Sequence, residues 1–422
     1  MEVIRSALDW YAQLPASVMI MLGIFVVAFA IARLALFKSL RSSVYVAAGM
    51  IGMGTMIGMF LGQVAPIMTK VIENTGLKLD VIDAGVGTQT SVMFALSFYA
   101  LLLPIGLIVN VLMLLLKWTG TFNVDIWNYN VMAMTSSFVL VITENVPLAI
   151  LGFVVTKIII LKLADFTAPA IQKAYGIEGI SIPHASSVIF APVAIAVNWV
   201  IEKIPGVRDI DWSPEVIEKQ TRGVIQPWTI GLVLGVVLGI VGGASFGEVL
   251  LIGTTTAAFM ILFPKVLGLL VEGIQPVADG MRERSGKLLK REVNIGLDAA
   301  ILVGTPSVMV IGMLLVPVIL LLAFVLPGNR VMPFADLAIA GPFLMTCCMP
   351  YLKMNIFRGL ICGTVVFTLV LYTATATVGW YNAAAAMNGL PFETEVTSMG
   401  IASSWVSWLL ATITELGKSL VG

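Results

Sequence analysis

The chain has 422 residues, 59% of them hydrophobic and only 11% charged, with 24 basic and 24 acidic side chains. Soluble domains average about 45–50% apolar and about 25% charged residues, so this chain lacks the charge to cover a water-facing surface. No basic excess supports nucleic-acid binding, and the sequence reads as an all-α polytopic membrane protein.

Residues 1–15 contain Glu2, Arg5 and Asp9 and show no small-residue cleavage pattern, so an interfacial helix is expected there rather than a signal peptide. A helix needs about 20 apolar residues to cross the hydrocarbon. Suitable runs fall near 16–35, 44–64, 91–116, 129–148, 149–165, 226–246, 248–272, 297–326, 334–350 and 359–380, with further stretches at 184–203 and 399–420. About 10–12 membrane segments are therefore expected, the 297–326 run being long enough to include an interfacial or half-helix portion. The polar stretches 203–225 and 274–296 are too short for a soluble domain.

Lys and Arg in short loops mark the cytoplasmic side. Arg33, Lys38 and Arg41 place the end of the first span inside, and Arg282, Arg284, Lys287, Lys290 and Arg291 do the same for 274–296. Lys203, Arg208, Lys219 and Arg222 put 203–225 inside as well, whereas 381–398 carries Glu393 and Glu395 without a cation and belongs outside. Five spans from an outside N-terminus already bring the chain inside near residue 165. The 184–203 stretch then cannot be one crossing, and a re-entrant element is expected, with Pro183 at its mouth and Pro192 in its middle. Broken helices at membrane depth occur where protein or a wet cavity surrounds them.

A weak internal similarity links Leu79–Asp80, Gly87–Thr88 and Ser91–Met93 to Leu297–Asp298, Gly304–Thr305 and Ser307–Met309. A proline-bearing span (Pro104, Pro317) and a polar turn (Asn123–Asp125, Asn329–Asp336) follow each copy. The charge pattern gives the copies opposite orientations, as in transporters built from inverted repeats around a midplane site. The expected organisation is a first repeat over 1–165, a re-entrant element and cytoplasmic linker over 166–225, a second repeat over 226–385, and a C-terminal loop and helix over 386–422.

Ionisable groups inside spans are costly and default to functional candidates. Asp298 opens the 297–326 run, where it can cap a helix, accept a substrate's hydroxyl hydrogens, or both. The only histidine, His184, sits with Glu178, Ser181, Ser186 and Ser187 around the Pro183 break. It is either a structural group or a ligand, and the re-entrant position favours a ligand. Gly87, Thr88, Gln89, Thr90 and Ser91 offer hydroxyl and amide groups suited to a neutral, many-hydroxyl solute. Asp83 lies beside that cluster. Gly52, Gly54, Thr55 and Gly58 read instead as small residues that tighten helix packing. Cys347, Cys348 and Cys362 read as buried thiols. No phosphate-binding Gly-x-x-x-x-Gly-Lys-[Ser/Thr] loop, metal-ligand spacing or activated nucleophile is present, so no cofactor or metal is expected.

Several strings resemble the galactitol-type membrane subunit, enzyme IIC, of the bacterial sugar phosphotransferase system. They are Asn123-Val124-Asp125-Ile126-Trp127-Asn128, Glu178 to His184, Ile201 to Val207, Ile295 to Asp298, and Leu326 to Asn329 followed by Pro333 to Ala338. They run in order over about residues 80 to 340. The resemblance extends to the ascorbate-type permeases. It implies a homodimer in the bacterial inner membrane, each protomer having a scaffold and a mobile core that moves substrate in elevator fashion. It also implies a phosphorylated IIB partner, charged in turn by a IIA protein, as phosphoryl donor to a sugar or polyol. By motif, His184 and Asp298 correspond to the substrate-contacting histidine and aspartate of the relatives, with Gly87, Thr88, Gln89, Ser91, Gly304 and Thr305 at two related helix starts. Glu178 and Asp83 are secondary candidates, as base or further contact. The chain departs from the galactitol pattern at Gly85–Ser91 and Glu144-Asn145, which leaves the substrate open among sugars and polyols. An ion-coupled secondary transporter of the same architecture is the alternative.

Overall fold

The computed structural model describes residues 16–421 apart from 76–78, 126, 214–215, 217–218, 220, 222–225, 290–291 and 401–403. The interfacial helix expected over 1–15 lies outside the described residues. The chain is mostly helical, as its composition requires. Helices α1 (Ala16–Val26) and α2 (Leu36–Thr75) lead to strand β1 (Val81–Asp83), α3 (Gly85–Phe94), α4 (Tyr99–Leu115) and β2 (Thr121–Asn123). Then come α5 (Trp127–Thr143), α6 (Val146–Tyr175), β3 (Ile180–Ser181) and α7 (Ala191–Glu202). The second half holds α8 (Pro227–Val241), α9 (Phe246–Leu289), β4 (Asn294–Gly296), α10 (Ala300–Val303) and α11 (Pro306–Val325). It continues with β5 (Val331–Met332), α12 (Leu337–Met345), α13 (Ile356–Met387), β6 (Val396–Thr397) and α14 (Trp405–Val421).

Among the described residues, α6, residues Phe246–Met281 of α9, α11 and α13 are long and apolar enough to cross a membrane. Shorter apolar helices include Leu101–Leu115, Val131–Thr143 and Val188–Glu202. Four runs therefore depart from simple crossings. The 91–116 run is split between α3 and α4 by a turn at Ala95–Phe98. The 297–326 run divides into α10 and α11, as its length suggested. The 334–350 run yields only α12, whose nine residues reach about 14 Å, against about 30 Å of hydrocarbon. At 184–203 the backbone is irregular to Ser187, forms a 3-10 turn over Val188–Phe190, and then enters α7. Pro192 lies in the first turn of α7, where a missing N–H costs nothing, so it opens the helix and does not break it.

The 274–296 stretch also differs from its expected loop. Helix α9 runs on through it to Leu289, because Glu283 and Lys287 pair at i,i+4 (2.6 Å) and the segment is rich in good helix formers. Helix α2 packs closely along α9. A Cβ on Gly49 would stand 2.6 Å from Leu270 Cβ, and one on Gly52 2.6 Å from Val266 Cγ1. Gly52 thus has the packing role its sequence context suggested. Helices α1, α2, α8 and α9 pack on one another as one group, while the remaining elements gather round two small sheets.

Those sheets are the feature that an all-α reading leaves out. Sheet A has strand order β5-β1-β6 and sheet B has β2-β4-β3, with every pairing parallel. The strands are two or three residues long, below the length at which alternation becomes visible in sequence. A three-stranded sheet leaves two raw edges, which an apolar interior does not tolerate. Each edge here meets a side-chain amide. Asn110 bonds Thr121 O and Asn123 N on β2, and Gln172 donates to Ile180 O on β3. Asn329 brackets Val331 on β5, and Asn382 does the same for Val396 on β6.

Candidate functional site

Parallel strands place all their C-terminal ends at one edge, where each chain turns into a helix start. In sheet B that edge collects Asn123 from β2, Leu297-Asp298 after β4, and Ile182-Pro183-His184 after β3. Close approach there requires Gly296: a Cβ would lie 2.7 Å from Pro183 Cγ and 2.9 Å from Asn123 Cα. Helix α6 carries the sheet. Its Asp165 accepts from Gly120 N (3.0 Å) and Thr121 Oγ1 (2.8 Å), and Gln172, two turns on, also reaches Asn294 (3.0 Å). α6 itself begins at the Asn145 cap, which accepts from Leu148 N (3.0 Å), and ends at Gly176 with φ +68°.

His184 and Asp298 meet at this edge, with Nε2 and Oδ2 3.5 Å apart and side chains 7% and 16% exposed. Asp298 Oδ1 accepts from Ala300 N (2.7 Å), so the carboxylate caps α10 with one oxygen and presents the other to the ring. Ser186 Oγ lies 2.8 Å from His184 Nδ1. A neutral ring that accepts the Ser186 hydroxyl there carries its own N–H on Nε2, toward Asp298. Phe343 of α12 stands beside the ring, 6.2 Å between centroids. The pair is wide for a direct bond and sits in a mostly buried, polar setting. It can hold a hydroxyl between a donor and an acceptor.

The Gly87–Ser91 cluster stands on α3, which starts from sheet A. Gly87 and Ser91 are exposed on one face, Thr88 is half-buried and bonds back to Ala84 O, and Ser91 bonds Gly87 O. Gln89 is 1% exposed, and neither end of its amide finds a protein partner. Gly304 is buried beside Asp298's helix. Thr305 occupies the cap position of α11 without its side chain bonding the helix. Glu178 is exposed and precedes β3, so it lies at the opposite end of that strand from His184.

Asp83 is fully buried in sheet A and accepts from Phe334 N, Asp336 N and Met399 N. Asp336 in turn accepts from Val86 N, Ser398 Oγ and Gly400 N. The two carboxylates tie the ends of all three strands together, and Gly85, at φ +79°, leaves room for Asp336 and Ala335. The structure therefore does not bring Asp83 and Glu178 to the His184–Asp298 pair. The α12 helix links the sheets, starting at Asp336 and ending with Phe343 against His184.

Sequence reasoning named Asn123, Asn128 and Ser186 within their strings without giving them a role, and passed over Phe343 and Lys157. Lys157 is fully buried in the 149–165 span, its Nζ 3.7 Å from the Tyr129 ring centroid, and the rule for ionisable groups inside spans could have found it. Phe343 reads as generic apolar text and carried no signal.

Residues 14–411 match the family model of the PTS system sugar-specific permease component, EIIC-GAT. The chain belongs to this family. It is similar to a protein of Escherichia coli strain K12 named only as a permease IIC component, 34% identical over 95% of this chain and 91% of that one. It is equally similar, at 34%, to the PTS system galactitol-specific EIIC component of the same strain, over 88% of this chain and 83% of that one. The galactitol-specific component of strain O157:H7 matches to the same extent. The resemblance read from short strings thus holds over nearly the whole chain, and the protein is a sugar-specific membrane permease component of the phosphotransferase system. The family assignment gives no support to the ion-coupled alternative.

Proposed function

We propose that this permease component imports a galactitol-like polyol through the bacterial inner membrane and presents it for phosphorylation by a separate IIB protein. The observation that carries the reading is the His184–Asp298 pair, where strand ends from the two halves of the chain meet. Polyol hydroxyls would bridge Nε2 and Oδ2, with Gln89, Thr88, Ser91, Gly87, Gly304 and Thr305 supplying further contacts from the two helix starts. In the transfer step a sugar hydroxyl oxygen attacks the phosphorus of the IIB phosphocysteine, the S–P bond breaks and the thiolate leaves. The hydroxyl proton passes to His184 or Asp298. Such transfers need mainly positioning and charge stabilisation, which fits a chain with no donor of its own.

The architecture proposed for this is a pair of inverted repeats. Exchanging β1, β2, β3 for β4, β5, β6 converts the strand order of sheet A into that of sheet B. The edge amides support the same exchange: Gln172 on α6 serves β3 as Asn382 on α13 serves β6. The repeats would then run from α1 to α7 and from α8 to α14, taking in the 166–225 and 386–422 segments. Helices α1, α2, α8 and α9 would form the scaffold of a homodimer, and the two-sheet unit the moving core.

Proteoliposomes loaded with phosphorylated IIB and given labelled galactitol test the function. Internal polyol phosphate that appears only with phosphorylated IIB is expected. Ion-gradient-driven accumulation of free galactitol without IIB would refute it.

A further inference from the structure

Beside Asp298 stand two buried amides that the reading above leaves unused. Asn123 is 1% exposed and Asn128 fully buried. Asn128 Nδ2 donates to Asn123 Oδ1 (3.0 Å) and approaches Leu297 O (3.5 Å), the residue before Asp298. Asn123 Oδ1 also takes Asp125 N (3.2 Å). One arm of each side chain is thus committed. The other arms, Asn123 Nδ2 and Asn128 Oδ1, meet no protein partner. Asn110, close by, uses both arms of its amide on the backbone of β2. The contrast separates an amide that serves the fold from two that the fold leaves half-used.

Buried polar groups are nearly always paired, and each exception calls for a reason. Here one free arm is a donor and the other an acceptor, on neighbouring amides fixed to each other. A hydroxyl, which donates one hydrogen and accepts another, is their complement. A carboxylate could satisfy only Nδ2 and an ammonium only Oδ1. We infer that Asn123 and Asn128 form a hydroxyl-reading subsite beside the His184–Asp298 pair, which selects a polyol chain by one of its neighbouring hydroxyls. This rests on the polyol-binding reading of that pair.

The side-chain pattern supplies a clean variant. Asn123→Asp keeps Oδ1 and its bonds to Asn128 and Asp125, and replaces only the free donor arm. Affinities for galactitol, mannitol, sorbitol and xylitol are measured by calorimetry on the purified wild type, Asn123→Asp and His184→Ala. The tightest binder is then compared with its monodeoxy analogues. We expect Asn123→Asp to lose about ten- to a hundredfold in affinity, the scale of one buried hydrogen bond. One monodeoxy analogue should bind wild type and Asn123→Asp alike, because the group being read is already gone. Should Asn123→Asp fail to fold, the wild type alone decides: deletion of each of two particular hydroxyls, one read by the pair and one by the amides, must cost about that factor. Sensitivity to a single hydroxyl overturns the subsite and assigns the free arms to a bound water. Loss of affinity in His184→Ala with an unchanged Asn123→Asp overturns the subsite and leaves the pair's role standing. A wild type that binds none of the four polyols overturns both.

Discussion

At the scale of single residues, the sharpest contrast lies between two aspartates that look alike in sequence. Asp298 spends one oxygen on a helix cap and turns the other to His184. Asp83 spends both on backbone N–H groups, and Asp336 faces the same arrangement from the other side. Asp336→Ala should therefore abolish a structural knot, leaving Val86 N and Gly400 N unpaired. Each such hydrogen bond contributes about 0.5–1.5 kcal/mol. A melting point in detergent that falls by several degrees, or loss of folded protein, is expected; an unchanged melting point would contradict the role. The Asp80–Arg330–Glu395 cluster is a different case. Arg330 bonds Asp80 (Nε to Oδ2, 2.9 Å) and Glu395 at the rim of sheet A. That bonding lowers the Asp80 carboxyl below its ordinary value. A lowered carboxyl contributes stability above its unfolded value and loses it as the pH falls through the folded one. The melting difference between wild type and Asp80→Asn should be present near pH 7 and vanish toward pH ~3; a difference that grows on acidification would contradict the clamp.

Elements show why some of the fold was legible and some was not. Long apolar runs announced α6, α9, α11 and α13, because twenty apolar residues have few other uses. The prolines at 183 and 192 flagged an interrupted segment, although Pro192 proved to start α7. The two sheets left no trace in periodicity, since strands of two or three residues show none. What the sequence did contain were their keepers: Asn110 and Asn382 in apolar text, Gln172 beside Lys173, and Asn329 in a polar turn. Such residues in a span deserve the question of which backbone they satisfy. Asn382→Ala strips two bonds from β6 and should cost about 1–3 kcal/mol, read as a lowered unfolding midpoint. Asn145→Ala removes only the α6 cap and should cost about 1 kcal/mol. An unchanged midpoint in Asn382→Ala would argue against its edge role. The candidate site was legible in part for the same reason. His184 and Asp298 are rare residue types in such a sequence, whereas Phe343 and the free arms of Asn123 and Asn128 emerge only from packing.

For the whole molecule, the sheets explain how a chain of mostly apolar helices builds a polar site. Each sheet joins strands from both halves, so neither half can form its site alone, and α12 runs from one sheet to the histidine at the other. The α2–α9 contact through Gly49 and Gly52 lies outside that unit and should tolerate no larger residue. Gly52→Leu is expected to reduce folded yield while leaving polyol affinity of the surviving protein unchanged. The central claim is that His184 and Asp298 hold the substrate. Its most direct test is a titration of labelled galactitol onto detergent-purified wild type, His184→Ala and Asp298→Asn, each checked for intact folding. Both variants should lose at least about tenfold in affinity; wild-type affinity in both would contradict the claim.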